Sequence, residues 1–342
     1  MSDTLQSADA LASDPHKEDA ALVPRIVAAY KSSVGRFHGH GNSMWAKLNS
    51  MNHDIHTAAI ENNLGLLSDL LRNPHRTDLF YGFDFLARSL AMPSTDDERA
   101  AHSRALHKIL VDLCEVTGAI KAAAANPENL TAEVLLSRLD EVFGFRIDFP
   151  NPFPFEPGLR TSRGIISSRA LAALYQTWRI KTLTMASDQP KVLEIGAGLG
   201  RTAYYSYKAG IRDYTIIDLP MANIAQANFL GRVLPARTIS LAGERDRGKI
   251  RIEDVTWAPA ADEPFDLIMN IDSLTEMDRG HAERYMEIIK DRTCVFFSVN
   301  KETNSFSVKE LLSVTGKTTI RNKYCLRAGY IEEIIFLRPE RS

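Results

Sequence analysis

The spacing of apolar residues along the chain changes near residue 150. Before that point apolar residues recur every three or four positions, as on one face of an α-helix, and no alternating β-branched runs occur. The predicted helix 96–120 begins at the capping-type cluster Ser94-Thr95-Asp96. The predicted helix 131–143 begins at Thr131, an N-cap residue without the Glu of a full capping box. An all-α region is therefore expected, with a mobile tail over about the first 17 residues. The predicted helices are 18–32, 54–72, 96–120 and 131–143.

A proline-rich segment separates this region from the rest of the chain. Residues 150–160, PNPFPFEPGLR, hold four prolines. Proline lacks the amide hydrogen that a helix needs and disfavours helix at the residue before it. We expect an extended connector that lies on apolar surface through its interleaved aromatic residues. The domain boundary is expected here, between domains 1–150 and 151–342, and another helix is predicted over 167–185.

After residue 190, strands and helices alternate. The last two predicted strands, 318–324 and 331–337, are typical of an antiparallel pair. Such alternation predicts an α/β fold with a Rossmann-like, doubly wound sheet that is mostly parallel and has an antiparallel C-terminal strand, preceded by the all-α N-terminal domain. The other predicted strands are 191–195, 214–218, 237–242, 249–253, 265–271 and 293–299, and the helices between them are 199–209, 221–233 and 279–290.

The composition is that of a globular protein large enough for two domains. The 342 residues carry 41 Lys and Arg against 43 Asp and Glu, and 44% of them are hydrophobic. These values argue against disorder, a collagen-like chain and a disulfide-stapled fold. Single cores stop growing at about 250–300 residues. The near-zero net charge gives no basic footprint for nucleic acid and no polybasic membrane anchor.

The cysteines and the N-terminus favour a cytoplasmic protein. Cys114, Cys294 and Cys325 are far apart and form no CxxC pair, so reduced thiols are expected. Cys294 begins the apolar run CVFFSV and is expected to be a buried strand thiol. The polar N-terminus lacks the apolar segment of a signal peptide, and no apolar run reaches the roughly 18 residues of a membrane span.

The run KVLEIGAGLGRTAYYSYKAGIRDYTIIDLP carries the clearest chemistry. A strand ends at Ile195, and a glycine-rich turn, 196–200, leads into a helix whose N-terminus offers free amide hydrogens and a positive dipole end. Asp218 closes the next strand, where a carboxylate accepts hydrogen bonds from ribose hydroxyls. The dinucleotide fingerprint G-x-G-x-x-G fails because Arg201 stands where its last glycine belongs. This disfavours an NAD(P)-dependent oxidoreductase.

Residues 194–200 follow the pattern E-x-G-x-G-x-G instead. This pattern resembles the first motif of class I S-adenosylmethionine-dependent methyltransferases, and Asp218 matches the acid at the end of their second strand. The segments RTAYY, YTIIDLP, NIDSLTEMDRGHAERY and FFSVNKETN look like those of a group of sugar O-methyltransferases. SSRALAALYQTWRI is also similar to the segment that precedes the first strand in that group. The resemblance covers roughly residues 160–340, and residues 1–150 carry no matching motif.

The resemblance implies S-adenosylmethionine as the cofactor. Glu194 would lie near its amino group, Asp218 would bind its ribose and Leu219 would lie against its adenine. A polar residue after the third strand, Glu253 or Asp254, would meet the adenine amino group. Arg169 either grips the cofactor carboxylate or is an exposed helix arginine. The expected cofactor residues are Arg169, Glu194, Gly196, Ala197, Gly198, Gly200, Asp218, Leu219, Asp254 and Asn270.

Transfer of a methyl group to a hydroxyl needs help in removing the hydroxyl proton, from a base or a metal. The candidates follow the fourth strand: Asp272, Glu276 and His281, with Asp278 a weaker one. The plainer interpretation is that Asp272 caps a short turn and Asp278 caps a helix. A divalent metal is possible, but no metal site is indicated. Tyr204 and Tyr205 are expected to be core residues or walls of the cofactor site.

Other functions stay open at this point. The chain could be an N-methyltransferase for a small amine, which would not need a base of the Asp272 type, or a non-catalytic cofactor-binding protein. The imidazole-rich run 38–45, with His53 and His56 beyond it, predicts a lid or acceptor-recognition loop, with a plain surface loop or a metal site as alternatives. The expected partner is a small-molecule acceptor, a sugar or another hydroxyl compound, and a homodimer is possible.

Overall fold

The computed structural model describes residues 15–35, 51–80, 83, 95–121, 126–153, 156–245, 249–257, 263–312 and 318–337. Its first part is helical, as predicted. The helices are α1 (Pro15–Val34), α2 (His53–Ile60), α3 (Leu64–Arg72), α4 (Asp96–Val116) and α5 (Ala132–Phe143). Thr95 and Glu98 form a full capping box at the start of α4.

Three helix predictions are corrected. The predicted helix 54–72 is two helices, because Asn62 adopts a left-handed conformation with φ of 57° and Asn63 then caps α3 by accepting a hydrogen bond from Leu66 N–H. α4 ends at Val116, four residues earlier than predicted, just before Gly118 with its positive φ. α1 begins at Pro15, inside the predicted tail, while residues 1–14 lie outside the described residues.

The connector after residue 150 contacts the core through Phe153, whose side chain is fully buried. It leads into an antiparallel hairpin, β1 (Leu159–Thr161) and β2 (Gly164–Ile166), which the sequence pattern did not predict. Strands of three residues are too short to show a period of two. The helix that follows, α6 (Ser168–Leu183), is capped by Ser167, which accepts a hydrogen bond from Ala170 N–H.

One eight-stranded sheet forms the second part of the chain, in the order β5-β6-β4-β3-β7-β8-β10-β9. The six strands from β5 to β8 run parallel, and β10 runs antiparallel to both of its neighbours. The predicted Rossmann-like, doubly wound fold with an antiparallel C-terminal strand is confirmed. The strands are β3 (Lys191–Ile195), β4 (Asp213–Asp218), β5 (Ile239–Leu241), β6 (Ile250–Asp254), β7 (Leu267–Ile271), β8 (Val295–Lys301), β9 (Thr318–Lys323) and β10 (Tyr330–Phe336).

Four helices follow the sheet strands: α7 (Arg201–Lys208), α8 (Pro220–Val233), α9 (Arg279–Arg292) and the short α10 (Val308–Leu312). Helix α1 packs on α8, where Leu22 of α1 lies against Gly231. Arg25 of α1 also forms an ion pair with Glu244, with 2.7 Å between Nε and Oε1. The largest hydrophobic core therefore runs from the N-terminal helices through one face of the sheet.

The environments of the cysteines differ from one another. Cys114 is buried in α4, and burial raises the pKa of its thiol to about 12. Cys294 is exposed, which corrects the expectation of a buried thiol. The reason is its position: β8 begins one residue later, at Val295, so Cys294 lies before the strand. Among the described residues, no helix is long and apolar enough to cross a membrane.

Candidate functional site

A cavity of about 290 Å³ opens beyond the carboxyl ends of β3, β4 and β7. Ligands of open α/β sheets bind in this crevice, where the strand order reverses. Most of the residues singled out from the sequence lie in its wall. They are Arg169, Glu194, Gly196, Ala197, Gly198, Asp218, Leu219, Asp272, Glu276, Asp278 and His281.

The glycine loop forms the floor of the cavity between β3 and α7. Gly196 has a φ of 75°, and a Cβ atom there would lie only 2.1 Å from Ser273 Oγ. Its N–H donates to Ile217 O at 3.0 Å, which continues the pairing of β3 with β4 into the turn. A side chain at this position would therefore have neither a permitted backbone conformation nor space. The loop backbone remains open to a ligand.

Asp218 is held in place by three hydrogen bonds. Its Oδ1 accepts from Leu219 N–H at 2.8 Å, and its Oδ2 accepts from Ala197 N–H at 3.0 Å and from Gln226 Nε2 at 2.7 Å. Burial raises the pKa of this carboxyl to about 6, although the three hydrogen bonds act in the opposite direction. The end of β4 is thereby tied to the glycine loop.

Glu194 is a buried carboxyl beneath the same loop. Its Oε2 accepts a hydrogen bond from the Tyr214 hydroxyl at 2.7 Å. Its pKa is raised to about 7, chiefly by burial; the hydrogen bond from Tyr214 acts in the opposite direction, and the nearby Asp218 adds a smaller upward contribution. A carboxyl poised to ionise near neutral pH therefore lies in the cavity wall.

Three predicted cofactor residues are not in the cavity wall. Asp254 is buried and accepts hydrogen bonds from Thr256, including its N–H at 2.7 Å, and Val255 lines the cavity instead. Asn270 is fully buried and donates to Ile195 O at 2.8 Å, so it braces the strand ends. Gly200 lies against Leu230.

A cluster of opposite charges lies around Asp272, between the glycine loop and the C-terminal hairpin. This residue follows β7 in a left-handed conformation with φ of 56°, uncommon outside glycine. Its Oδ2 accepts hydrogen bonds from Arg169 Nη1 at 3.2 Å and from Arg327 Nη1 at 2.7 Å. Arg327 also lies over the ring of Tyr330, 4.1 Å from its centroid. Burial, and then Asp272, raises the pKa of Tyr330 above its ordinary value.

His281 lies in the cavity wall in the first turn of α9. Its Nδ1 is 3.6 Å from Asp278 Oδ1, and Asp278 also caps the helix by accepting a hydrogen bond from Gly280 N–H at 3.0 Å. The capping role expected for Asp278 is therefore present, beside its contact with the imidazole. Glu276 contributes to the wall from the short helical turn Leu274–Glu276.

Some lining residues could not be found from the sequence. Arg201 is buried and paired with Glu156 of the connector, with 2.5 Å between Nη2 and Oε1, and it lies over the ring of Phe229. No short-range motif joins two residues 45 positions apart. Arg327 and Tyr330 come from the C-terminal hairpin, which has no signature of a site.

Tyr204 and Tyr205 are core residues and not walls of the cavity, the two alternatives expected from the sequence. Both are buried and neither lines the cavity. Their hydroxyls donate to Asp148, Tyr204 to Oδ1 at 2.7 Å and Tyr205 to the carbonyl at 3.0 Å.

The histidine-rich run 38–45 lies outside the described residues. Of the two histidines beyond it, His56 pairs through Nδ1 with the Tyr30 hydroxyl at 2.8 Å, and His53 lies on the surface of α2. Within the described ranges, no group of three His, Cys, Asp or Glu side chains is placed to bind a metal ion.

No protein-family model and no curated protein matches this chain. Solved structures do. The methyltransferase domain of bacterial CtHen1 is similar over 47% of this chain and 97% of its own, with 12% identity and a TM-score of 0.36. The glycopeptide N-methyltransferase MtfA is similar over 48% and 89%, with 14% identity and a TM-score of 0.36.

Magnesium protoporphyrin IX methyltransferase from Synechocystis PCC 6803 is similar over 49% of this chain and 83% of its own, with 11% identity and a TM-score of 0.34. Likenesses at these identities and scores give no basis for transferring an activity.

Proposed function

We propose that this chain is an S-adenosylmethionine-dependent methyltransferase that moves a methyl group to a hydroxyl of a sugar or another small molecule. The observation that carries the proposal is the cavity floor. There Gly196 leaves no room for a side chain, and Asp218 is hydrogen bonded to the glycine loop beside the buried Glu194. The proposal also rests on the resemblance of E-x-G-x-G-x-G and Asp218 to the class I motifs.

The residues present fit this cofactor. When bound, S-adenosylmethionine supplies a methyl group on a sulfonium, which is activated for in-line displacement. Asp218 has about four acceptor positions, three of which are taken by Leu219, Ala197 and Gln226, and the remaining one, on Oδ1, suits a ribose hydroxyl. The ionised form of Glu194 suits an ammonium group. Leu219 and Val255 offer an apolar surface at the ends of β4 and β6 for a flat ring.

His281 is the base that the geometry favours for the acceptor hydroxyl. Its imidazole lies in the cavity wall, where it can take up the proton of an acceptor hydroxyl, and its Nδ1 is 3.6 Å from Asp278 Oδ1, too far for a hydrogen bond. Asp272 is less suited, because both arginines of its cluster donate to Oδ2. We therefore assign Asp272 a positioning role and His281 the proton transfer, and we keep Glu276, which also lines the cavity, as the alternative base.

The wider assignment follows from the same proposal. We propose a helical N-terminal domain over 1–150 and a cofactor-binding domain over 151–342, acting in the cytoplasm on a small-molecule acceptor. A screen of hydroxyl and amine acceptors with labelled S-adenosylmethionine distinguishes the two alternatives. An N-methyltransferase would label amines, and a protein that binds the cofactor without catalysis would label neither class.

The test of the proposal is calorimetry with S-adenosylhomocysteine. The unaltered chain should bind it with a Kd in the micromolar range, and Asp218→Ala should weaken binding by at least about tenfold, because a charge-assisted hydrogen bond to the ribose is lost.

Asp213→Ala is the matched control, because Asp213 lies at the opposite end of the same strand and pairs with Arg251. Its affinity should equal that of the unaltered chain. Absence of binding by the unaltered chain would overturn the proposed cofactor, and equal affinity in both variants would overturn the role of Asp218.

A further inference from the structure

We infer that the acceptor carries an anionic group, a carboxylate or a phosphate, which Arg327 binds at the end of the cavity away from the glycine loop. The inference rests on the proposed function and names the class of acceptor for the same cavity. Arg327 belongs to none of the cofactor motifs and yet lines the cavity.

The position of Arg327 separates it from the cofactor end. It lies in the turn between β9 and β10, and β10 is three strands away from β3 in the sheet. At about 4.8 Å per strand, β3 and β10 are about 14 Å apart, and the guanidinium of Arg327 reaches back over part of this distance to Asp272, which follows β7. Arg327 thus approaches the cavity from the β10 side of β3, whereas Asp218 approaches it from the β4 side. We therefore assign a group bound at Arg327 to the acceptor.

The guanidinium of Arg327 is held in a fixed place with donors to spare. It lies over the ring of Tyr330, and among the described residues it donates one hydrogen bond, to Asp272 Oδ2. A guanidinium has five N–H donors in a planar fork that matches carboxylate and phosphate oxygens. The side chain is 49% exposed, so the remaining donors are accessible from the cavity and from solvent.

The surrounding charges favour an anion at this end over a cation. Arg327 contacts Asp272 and Tyr330, and Arg169 donates to the same oxygen of Asp272. Two guanidinium groups thus converge on one carboxylate oxygen. The acidic side chain of Asp278, which also lines the cavity, lies beside His281. An acceptor with its anion at Arg327 can extend towards His281 and present a hydroxyl there.

The experiment measures binding of charged and neutral sugars of one shape. Glucuronate, glucose 6-phosphate and glucose are titrated by calorimetry into the full chain, with and without saturating S-adenosylhomocysteine. At least one anionic sugar should bind about tenfold or more tightly than glucose. Arg327→Gln should abolish that preference, and Arg327→Lys should keep part of it. Preference for glucuronate indicates a carboxylate acceptor, and preference for glucose 6-phosphate a phosphate.

Arg279→Gln is the matched control. Arg279 is 55% exposed, pairs with Glu283 at 3.0 Å and lies over the ring of Phe306, but does not line the cavity. This variant should keep the preference, and melting temperatures of both Gln variants should agree. Equal or absent binding of all three sugars to the unaltered chain, or an unchanged preference in Arg327→Gln, would overturn the inference.

A second set of titrations tests whether the anion that Arg327 binds belongs to the acceptor or to the cofactor. Arg327→Gln should leave the Kd of S-adenosylhomocysteine, which has a carboxylate, and of methylthioadenosine, which has none, within twofold. A selective loss for S-adenosylhomocysteine would assign Arg327 to the cofactor carboxylate and overturn the inference. Failure of the proposed function would look different, since the unaltered chain would then bind neither adenosyl compound.

Discussion

The two ends of the cavity are built in different ways. The cofactor end consists of backbone and carboxylates from one continuous stretch, 194–219, where two neighbouring strands end. The proposed acceptor end is made of side chains from three separate segments, which contribute Asp272, His281 and Arg327, and Arg169, expected at the cofactor, donates to Asp272 there. Under the proposed function, one local motif would hold the cofactor, while the acceptor would be selected by residues that only the tertiary fold brings together.

The largest expected effect is at the cofactor end. Gly196→Ala places a Cβ atom 2.1 Å from Ser273 Oγ and forces a φ of 75° on an alanine. The left-handed conformation alone costs about 1–2 kcal/mol, and the clash adds to it. We expect no measurable binding of S-adenosylhomocysteine by calorimetry and a lower free energy of unfolding in urea.

Gly210→Ala is the control for this variant. Gly210 also has a positive φ, 99°, but a Cβ atom there would meet no atom within 4 Å. It should lose stability through backbone strain and still bind S-adenosylhomocysteine. If Gly196→Ala binds the ligand as well as Gly210→Ala does, the cavity floor is not the cofactor site.

The acceptor end should respond in rate and not in cofactor affinity. His281→Gln removes the proposed base, and removal of a general base lowers turnover by about 10²–10⁴-fold. The Kd of S-adenosylhomocysteine should stay within twofold, because His281 is assigned to the acceptor hydroxyl. Turnover is measured with the first acceptor found in a screen with labelled S-adenosylmethionine.

His53→Gln is the control, since His53 is an exposed histidine of α2 outside the cavity. Its turnover should match that of the unaltered chain. Equal turnover in His281→Gln and His53→Gln would rule His281 out as the base and return the role to Asp272 or Glu276.

The same contrast explains how far the sequence could be interpreted. The order of strands and helices after residue 190 was largely predictable, because most of the strands there are short apolar runs. Glu194 and Asp218 were singled out because a strand, a glycine turn and an acid-terminated strand lie within 28 residues. Their hydrogen-bond partners were not predictable: Gln226 reaches Asp218 only because α8 packs back over the strand end.

Other features could not be predicted from the sequence. The break at Asn62 depends on one residue entering the left-handed region, which asparagine permits without requiring it. Arg201 meets Glu156 because the connector folds over the start of α7. Arg327 lies 55 residues from Asp272, and their contact requires β10 to insert antiparallel beside β8. Each of these depends on tertiary packing, which spacing along the chain does not encode.

The smallest expected effect concerns the buried carboxyl at the cofactor end. The folded-state pKa of Glu194 is about 7, above the 4.5 of an exposed glutamate, so the folded chain holds a proton there that the unfolded chain releases. The resulting stabilisation is fully present below pH 4.5 and is lost as the pH rises through 7. A shift of this size corresponds to at most about 3 kcal/mol. Glu194→Gln should therefore flatten the fall in stability between pH 5 and pH 8.

The measurement is the free energy of unfolding in urea at pH 5, 6, 7 and 8, without ligand. Glu194→Gln keeps an oxygen to accept from the Tyr214 hydroxyl and should be more stable than the unaltered chain at pH 8. Part of the slope should remain, because burial also raises the pKa of Asp218 to about 6. Glu283→Gln, at an exposed position of α9, should keep the full slope. If the free energy of unfolding of Glu194→Gln falls with pH as steeply as that of the unaltered chain, ionisation of Glu194 does not contribute to the pH dependence of stability.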